Sequence, residues 1–351
     1  MTLINVGYIL NSMNTPIKRI GFACKWAEIN KKGEIASTEG LNTGGTTLAW
    51  AKRNSRATAE QKVIDVAKTN IVNTHNLIKK VATLPEPQRM LRITSDMLSF
   101  YTHEDWQPFW QSTNTQDSLA RWFAPLGETA RQNNVRLSFH PDQFVVLASD
   151  RPDVVNKSIE EFEYHVDMAR WMGYGKTFQD IKINVHISGR QGPEGIRLAY
   201  QRLSPEARNS LTIENEENAW GLNDCLSLSD LLPIVLDIHH HWCREGEYLD
   251  PSDARVTRVI DSWRGLRPTL HYSVSREDIL VGHSTTVLPD MTSLLGQKLN
   301  KQKLRAHSDY YWNDAVNDWA ISFNDKFDIM CESKAKNLAS HKLYEKYYGN
   351  I

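Results

Sequence analysis

The stretch "LPIVLDIHHHW", Leu232–Trp242, places an apolar run directly before an aspartate and three consecutive histidines. A short apolar run of this kind is typical of a strand that is buried on both faces, as in a parallel sheet. The histidines lie inside the chain and follow the run without a linker, which argues against a tag-like segment. The stretch therefore predicts a buried strand that delivers metal-binding side chains at its C-terminal end.

Similar apolar runs recur along the 351 residues. The eight runs begin at Arg19, Arg89, Val135, Ile181, Leu211, Pro233, Pro268 and Phe327. Between them the apolar residues recur with a period of about 3.6, which is the pattern of amphipathic helices. About eight strand and helix units in alternation predict an α/β fold, a closed (β/α)8 TIM barrel, and an open doubly wound sheet is the alternative that fits the same pattern.

The chain shows no internal repeat, low-complexity tract or linker, which predicts a single domain with insertions at the barrel rim. We expect an N-terminal extension over residues 1–17 and the barrel over residues 18–340. Residues 274–304 are expected to form an insertion within the barrel, and residues 341–351 a C-terminal tail.

Composition excludes some classes of protein. The chain has 41 Lys+Arg against 42 Asp+Glu, so net charge gives no indication of a nucleic-acid partner. Its four cysteines lie far apart, which argues against a disulfide framework and against a thiolate zinc site. There is no secretory pattern and no apolar run of the roughly 18 residues that span a membrane. We therefore expect an intracellular protein, cytoplasmic or at the nucleoid if the source is prokaryotic or viral, with no membrane partner and no obligate protein partner.

Six of the eight predicted strands end on a residue that can bind a metal. These residues are His140, His186, Glu214, Asp237, His271 and Glu332. All C-terminal strand ends of a parallel barrel meet at one mouth, so we expect these side chains to converge. Imidazole and carboxylate ligands without thiolates suit Zn, Mn or Fe, and their number exceeds the needs of one ion. The pattern predicts a cluster of two or three divalent ions, which suits phosphodiester hydrolysis.

Single positions also have simpler interpretations. A histidine is more often a hydrogen-bonded packing residue than a ligand, and we assign four histidines to packing: His75, His165, His283 and His341. Glu214, within "ENEEN", also fits a solvated acidic face. Strand alternation would separate His240 from His239 and His241, but alternation fails beyond a strand end, so spacing alone does not choose the ligand.

Eight motifs occur in order between about Ile20 and Leu338: "RITSD", "LSFHPDQFVVLAS", "INVHISG", "LTIENEEN", "LDIHHHW", "LHYS", "RAHSDYYW" and "ESKAKN". Together they resemble the UV damage endonuclease family, a relative of endonuclease IV among the xylose-isomerase-like barrels. The resemblance implies a TIM barrel with up to three divalent ions, typically manganese, with zinc or magnesium as alternatives. It also implies damaged double-stranded DNA as the partner, incised immediately 5′ of cyclobutane pyrimidine dimers, 6-4 photoproducts and some abasic sites.

The resemblance implies a set of site residues as well. The matching metal-ligand positions are His103, His140, His186, Glu214, Asp237, His240, His271, His307 and Glu332. Within the triplet it favours His240, and it adds His307 from a rim loop. We expect Glu214, His271 and Glu332 to be the catalytic residues, with Glu214 as a ligand that bridges two ions.

Residues for DNA binding follow from the same resemblance. Gln143 and Phe144 match the Gln-Tyr lesion probe of the family, with Asp142 where glycine is usual. Phe144 keeps an aromatic ring that can fill the gap left by displaced bases, although it loses the hydroxyl, and packing on the rim is the alternative. Five basic residues are candidate phosphate contacts: Arg190, Lys334, Lys301, Lys303 and Arg305. Each of the five is individually better explained as an ordinary solvated charge.

Two departures from the family pattern stand out. Thr269 replaces the lysine that usually lies two residues before the histidine of the seventh strand, so a catalytic or metal-tuning lysine at that position is in doubt. Residues 21–26 lack the tyrosine and asparagine of the early family motif, so DNA contacts from that loop are expected to differ. The competing functions are a metal-dependent sugar isomerase or epimerase on the same barrel, and a lesion-binding protein that has lost incision.

Overall fold

The structure, a computed structural model, describes residues 17–349, so the predicted N-terminal extension lies almost entirely outside the described residues. Its strands are β1 Ile20–Ala23, β2 Ala27–Ile29, β3 Ile35–Ser37, β4 Met90–Ile93, β5 Arg136–Phe139, β6 Lys182–His186, β7 Leu211–Glu214, β8 Ile234–Asp237, β9 Thr269–Tyr272 and β10 Asp328–Cys331. Eight of them form a closed barrel in the order β1-β10-β9-β8-β7-β6-β5-β4, and β2 and β3 form a separate hairpin. The eight barrel strands lie in the eight predicted apolar runs, and barrel closure confirms the TIM barrel over the open sheet.

The parallel register brings the strand ends to a common level. His186 pairs with Glu214 across β6 and β7, and Asp237 pairs with His271 across β8 and β9. Because every barrel strand runs in the same direction, these four side chains belong to the C-terminal mouth.

Helices connect the strands. In the described part of the chain they are α1 Leu48–Lys52, α2 Arg56–Ala82, α3 Gln107–Trp110, α4 Thr113–Gln132, α5 Pro152–Trp171, α6 Gly192–Arg202, α7 Pro205–Ser210, α8 Leu222–Leu226, α9 Ile238–Glu245, α10 Ala254–Ser262, α11 Met291–Gly296, α12 Lys301–Leu304, α13 Asp314–Ile321 and α14 Asn337–Tyr348, with 3-10 turns at Glu86–Gln88 and Glu104–Trp106. None of these described helices is both long and apolar enough to cross a membrane.

The strands divide their side chains between two environments. Ile183 and Val185 of β6 are buried in the apolar layer between barrel and helices. The alternate residues, Lys182, Asn184 and His186, make their contacts with polar side chains of other barrel strands. On this strand, period-two alternation directs polar side chains toward the barrel interior, while the main hydrophobic core lies outside the barrel.

The N-terminal end of the barrel is closed by one buried aspartate. Asp328, the first residue of β10, is fully buried and accepts hydrogen bonds from Arg136 Nη1 and Arg267 Nε, each at 2.6 Å. Arg19 donates its backbone N–H to Asp328 at 3.0 Å and places its guanidinium 3.8 Å away. We call Asp328 with these three arginines the floor of the barrel.

Residues 274–304 leave the barrel after β9 and contain α11 and α12. They build a small apolar cluster of their own from Leu280, Met291, Leu294 and Leu304 against Trp242 and Cys243. Ser275 forms an isolated antiparallel bridge with His307. The excursion thereby returns the chain to the mouth at His307.

Helix α14 runs across the predicted boundary at residue 340 and packs against the start of the barrel. Asn337 exchanges two hydrogen bonds with the backbone of Ala27, at 2.7 and 3.1 Å. The His341 ring lies edge-on between those of Phe22 and Trp26.

Candidate metal centre

Six of the nine predicted ligands form overlapping ligand sets at the fully buried carboxylate of Glu214, at the end of β7: Glu214 itself with His140, His186, Asp237, His271 and Glu332. Glu214 Oε2 lies 3.0 Å from His271 Nδ1, 3.2 Å from His140 Nε2 and 3.8 Å from His186 Nε2. Glu332 Oε1 lies 3.3 Å from the same His271 Nδ1. The carboxylate of Glu214 is therefore placed to bridge neighbouring ligand sets.

Three sets of side chains in the described chain each bring ligand atoms within 4.8 Å of one another: His140, His186 and Glu214; His140, His271 and Glu332; Glu214, Asp237 and His271. Glu214, His140 and His271 each belong to two sets. Shared members are what a cluster of adjacent ions requires.

Unpartnered atoms test whether these residues fit a metal. Glu214 Oε1, Asp237 Oδ2 and His271 Nδ1 are buried and have no hydrogen-bond partner. Burial lowers the pKa of His140 to about 3, so its ring is neutral, and its Nε2 lone pair faces the Glu214 carboxylate. Buried carboxylate oxygens without a donor, and an imidazole lone pair that faces a carboxylate, are groups that a bound cation would satisfy. The residues present therefore fit a divalent metal.

Three of the histidines make the same hydrogen bond, from ring Nδ1 to a backbone carbonyl oxygen. His140 Nδ1 lies 2.9 Å from Pro141 O, His240 Nδ1 3.1 Å from Asn215 O and His307 Nδ1 2.8 Å from Glu332 O. A carbonyl oxygen only accepts, so the proton is on Nδ1 and Nε2 is the atom left for an ion. This outer hydrogen bond fixes ring orientation in many metal sites.

The histidine triplet does not extend the strand. Helix α9 begins directly after β8, and its N-cap Asp237 accepts a 2.7 Å hydrogen bond from the backbone N–H of His240. The helical turn brings His240 Nδ1 to 3.5 Å from Glu214 Oε1. Strand alternation is therefore the wrong rule here, and helix geometry turns His240 toward the cluster.

The other two residues of the triplet point elsewhere. His239 stacks on Trp242 and lies 3.7 Å from the sulfur of Cys243. His241 Nε2 lies 3.1 Å from Glu247 Oε2.

Surrounding carboxylates favour positive charge at His240. Burial alone would lower the pKa of its imidazole, but Asp237, Glu214 and Glu217 raise that pKa to about 9. The mouth therefore attracts positive charge at the position of this ring.

His103 and His307 differ in their relation to the cluster. The His307 ring centroid lies 6.5 Å from that of His240. His103 instead caps the 3-10 turn that follows it, because its Nδ1 accepts a 3.2 Å hydrogen bond from Asp105 N. The structure brings His307 to the mouth but does not turn His103 into the cluster.

Two buried cations at the site were missed by sequence reasoning. Arg92 of β4 hydrogen bonds to Glu332, and Lys182 Nζ lies 2.9 Å from His271 Nε2. Burial lowers the pKa of Lys182 to about 7. Thr269 Oγ1 is buried without a partner. The chain has no lysine at that position, but Lys182 approaches His271 from β6. A charged residue within an apolar strand was the available signal for both.

The predicted DNA-contacting residues lie on the exposed rim. Phe144 is 78% exposed, in contrast to the buried Val145 that follows it, so the ring is not packed on the rim. Gln143 and Lys334 are exposed, and Arg190 pairs with Asp150 at 3.2 Å. Of the other basic residues considered, Lys301 hydrogen bonds to Arg244 O and Arg305 pairs with Glu217.

The four histidines assigned to packing lie outside the cluster. His75 bonds to Thr129, and His165 bonds to Ser95 and to Glu161 O. His341 packs against two aromatic rings, and His283 is half-buried beside Ser284 and edge-on to Trp312.

Comparisons with known proteins give evidence that is independent of the site geometry. A family model described as UV-endonuclease UvdE matches residues 18–350. The UV DNA damage endonuclease of Bacillus thuringiensis subsp. konkukian is 24% identical, over 84% of this chain and 85% of the relative. That of Bacillus mycoides is also 24% identical, over 85% of this chain and 86% of the relative.

Solved structures show the same fold. SacUVDE superposes with a TM-score of 0.69 at 22% identity, covering 95% of this chain and 99% of its own. Endonuclease IV from Thermus thermophilus gives a TM-score of 0.50 at 12% identity, covering 78% of this chain and 93% of its own. Because the family model spans nearly the whole sequence, this chain belongs to the UV-endonuclease UvdE family and is an endonuclease.

Proposed function

We propose that this chain is a metal-dependent repair enzyme that incises double-stranded DNA immediately 5′ of UV photoproducts. Its substrates are cyclobutane pyrimidine dimers, 6-4 photoproducts and some abasic sites. The observation that carries the proposal is the buried set of unpartnered ligand atoms at the barrel mouth. Names of the relatives, all UV DNA damage endonucleases, support the substrate class.

The ligands divide around Glu214. Asp237, His271 and Glu332 would hold one ion, and His140 and His186 a neighbouring one, with Glu214 shared between them. His240 and His307 would hold a third ion. When bound, divalent ions at this position would activate a water and neutralise charge on the phosphate. Manganese is the proposed metal, with zinc and magnesium as alternatives.

Other residues hold these ligands in place. Asn184 donates to Glu214 Oε2 from the neighbouring strand β6, and Arg92 of β4 donates to Glu332 across β1, so both carboxylates are oriented by other strands. Preorganised ligands need less rearrangement when ions and substrate bind. A set of ligands held in fixed positions is typical of a hydrolytic metal centre and not of a solvated acidic surface.

The lesion would be recognised at the rim. Phe144 lies four residues beyond His140, so its exposed ring projects from the loop that also supplies a ligand. A base step opened by a photoproduct is weakly stacked, and an aromatic side chain can fill the gap when bases leave. Gln143 would contact the same step, and Arg190 and Lys334 would contact phosphates, which makes affinity fall with salt.

The test is incision of an end-labelled duplex that carries one cyclobutane dimer, with Mn²⁺ and with EDTA. We expect a Mn²⁺-dependent nick immediately 5′ of the dimer, and no nick in the undamaged duplex. Phe144→Ala should reduce the preference for the damaged duplex without changing Mn²⁺ binding. Lesion-specific binding without a nick would instead indicate a damage sensor, and indifference to DNA would point to a sugar enzyme.

A further inference from the structure

A carboxylate outside the predicted ligand set lies beside the cluster. Glu217, three residues after Glu214, is 13% exposed at its side chain. Its Oε2 lies 3.7 Å from His240 Nε2, and its Oε1 accepts a 2.7 Å hydrogen bond from Arg305 Nη1. One carboxylate oxygen is therefore held by a cation and the other is directed at an imidazole.

The imidazole directs its Nε2 at this carboxylate. His240 is 6% exposed, its Nδ1 is held by Asn215 O, and its Nε2 has no hydrogen-bond partner among the described residues. At 3.7 Å, Nε2 and the Glu217 oxygen are too far apart to hydrogen bond. Two ligand atoms on one ion, each at about 2.1 Å, are separated by about 3 to 4 Å, so the gap has the size of a shared ion.

The loop that carries Glu217 is fixed at both ends. Asn215 and Asp237 exchange two hydrogen bonds, each of 2.9 Å, which join the ends of β7 and β8. Glu216 donates its backbone N–H to Trp220 O at 2.9 Å. Because the backbone on either side is held, the position of the Glu217 side chain is a property of the fold and not of a free loop.

We infer that Glu217 is an additional ligand of the third metal position, the one proposed for His240 and His307, where its Oε2 would share the ion with His240 Nε2. The inference rests on the proposed metal centre and extends it outward, toward the rim. His307 supports it because its Nδ1 is also held by a carbonyl, which leaves its Nε2 for an ion. Arg305 pairs with the second oxygen of Glu217 and neutralises its charge, whereas the fixed backbone of the loop sets the position of the side chain.

The neighbouring glutamate provides a matched control. Glu216 lies in the same loop, but its Oε2 accepts a 2.8 Å hydrogen bond from Ala219 N. Glu216→Gln keeps an acceptor oxygen for that bond and removes the same charge as Glu217→Gln. A general electrostatic effect would alter both variants, whereas loss of a ligand alters only one.

The experiment is a titration of the metal-free protein with Mn²⁺, in which free Mn²⁺ is measured by electron paramagnetic resonance. We expect the weakest binding step to be lost or weakened roughly tenfold to hundredfold in Glu217→Gln and in His240→Ala. Glu216→Gln should match the wild type. Arg305→Met, which keeps the carboxylate and removes its cation, should retain the step and separates ligation from ion pairing.

Two outcomes would overturn the inference: Mn²⁺ binding by Glu217→Gln that equals the wild type, or an equal loss in Glu217→Gln and Arg305→Met. Thermal melts of the metal-free variants check folding, and Arg305→Met remains informative if a Glu217 variant does not fold. No DNA is present in the titration. A Glu217-dependent step without lesion-specific incision would uphold the inference and reject the proposed function.

Discussion

The two ends of the barrel bury charge in different ways. At the floor, both oxygens of Asp328 are matched by guanidinium or backbone N–H groups of Arg19, Arg136 and Arg267. At the mouth, Glu214 and Asp237 each retain a buried oxygen without a hydrogen-bond partner. The carboxylate at the floor has a partner for each oxygen, whereas Glu214 and Asp237 at the mouth do not.

The difference separates a structural ion cluster from a binding site. A buried carboxylate with cationic partners is already compensated, so it gains nothing from an added ion. Converging carboxylates and imidazole lone pairs are compensated only when cations bind. We therefore expect changes at the floor to act on stability, and changes at the mouth to act on metal binding and incision.

The largest expected effect is on catalysis at the mouth. Glu214→Gln keeps the shape of the side chain but removes the charge shared by two ligand sets. We expect incision of the dimer-containing duplex to fall by at least about 1,000-fold, on the order of 4 kcal/mol in the activation barrier. Single-turnover assays measure this, with Glu216→Gln as the control. A variant that keeps more than a tenth of the rate would contradict the assignment of Glu214.

The next effect is on stability at the floor. Asp328→Asn leaves three buried or half-buried arginines without their carboxylate, which should lower the free energy of unfolding by about 3 to 5 kcal/mol. Asp325→Asn is the control, because its pairing with Lys18 is at the surface and should cost less than about 1 kcal/mol. Urea unfolding followed by circular dichroism distinguishes them. Similar losses in the two variants would mean that the floor is not the compensated cluster described above.

A buried histidine with full partners should respond to pH. Burial lowers the pKa of His165 to about 4, against about 6.5 when unfolded. Above pH 6.5 the ring is neutral in both states, and below it the unfolded chain takes up the proton first, so stability falls as pH falls toward 4. At pH 5 the loss from this residue is about 2 kcal/mol.

His165→Gln should remove that part of the pH dependence. The measurement is urea unfolding at pH 7.5 and pH 5 for the variant and the wild type. Equal pH dependence in the two proteins would show that His165 is not held neutral.

The smallest expected effect is a gain in stability at the mouth. Burial and, to a smaller extent, repulsion from Glu214 raise the pKa of the Asp237 carboxyl, although His240 opposes the shift. A charged Asp237 carboxylate therefore destabilises the metal-free fold at neutral pH. Asp237→Asn keeps the cap on α9 and should stabilise the protein in EDTA by about 1 kcal/mol while it weakens Mn²⁺ binding. Thermal melts with EDTA and with Mn²⁺ measure both terms. If Asp237→Asn is less stable than the wild type in EDTA, the Asp237 carboxylate stabilises the metal-free fold as Asp328 does, and the two ends of the barrel do not differ in this respect.

The sequence by itself determined the barrel and most of the mouth. Eight apolar runs separated by helical periods specify eight parallel strands, and the direction of those strands places His140, His186, Glu214, His271 and Glu332 at one end. This inference needs only the strand period and the rule that parallel strand ends meet. The pattern that supports it is local to each strand and recurs in eight strands.

Only the tertiary structure decided which side chains face the cluster where the chain leaves a strand. The immediate start of α9 turns His240 inward and His239 away. Arg92 and Lys182 join the cluster through contacts with Glu332 and His271, which are far from them in the sequence. Glu217 was not singled out in the sequence, and only the loop after β7 directs it at His240. The physical reason is that these contacts depend on backbone direction after the strand end and on partners from other strands, and neither is encoded by local periodicity.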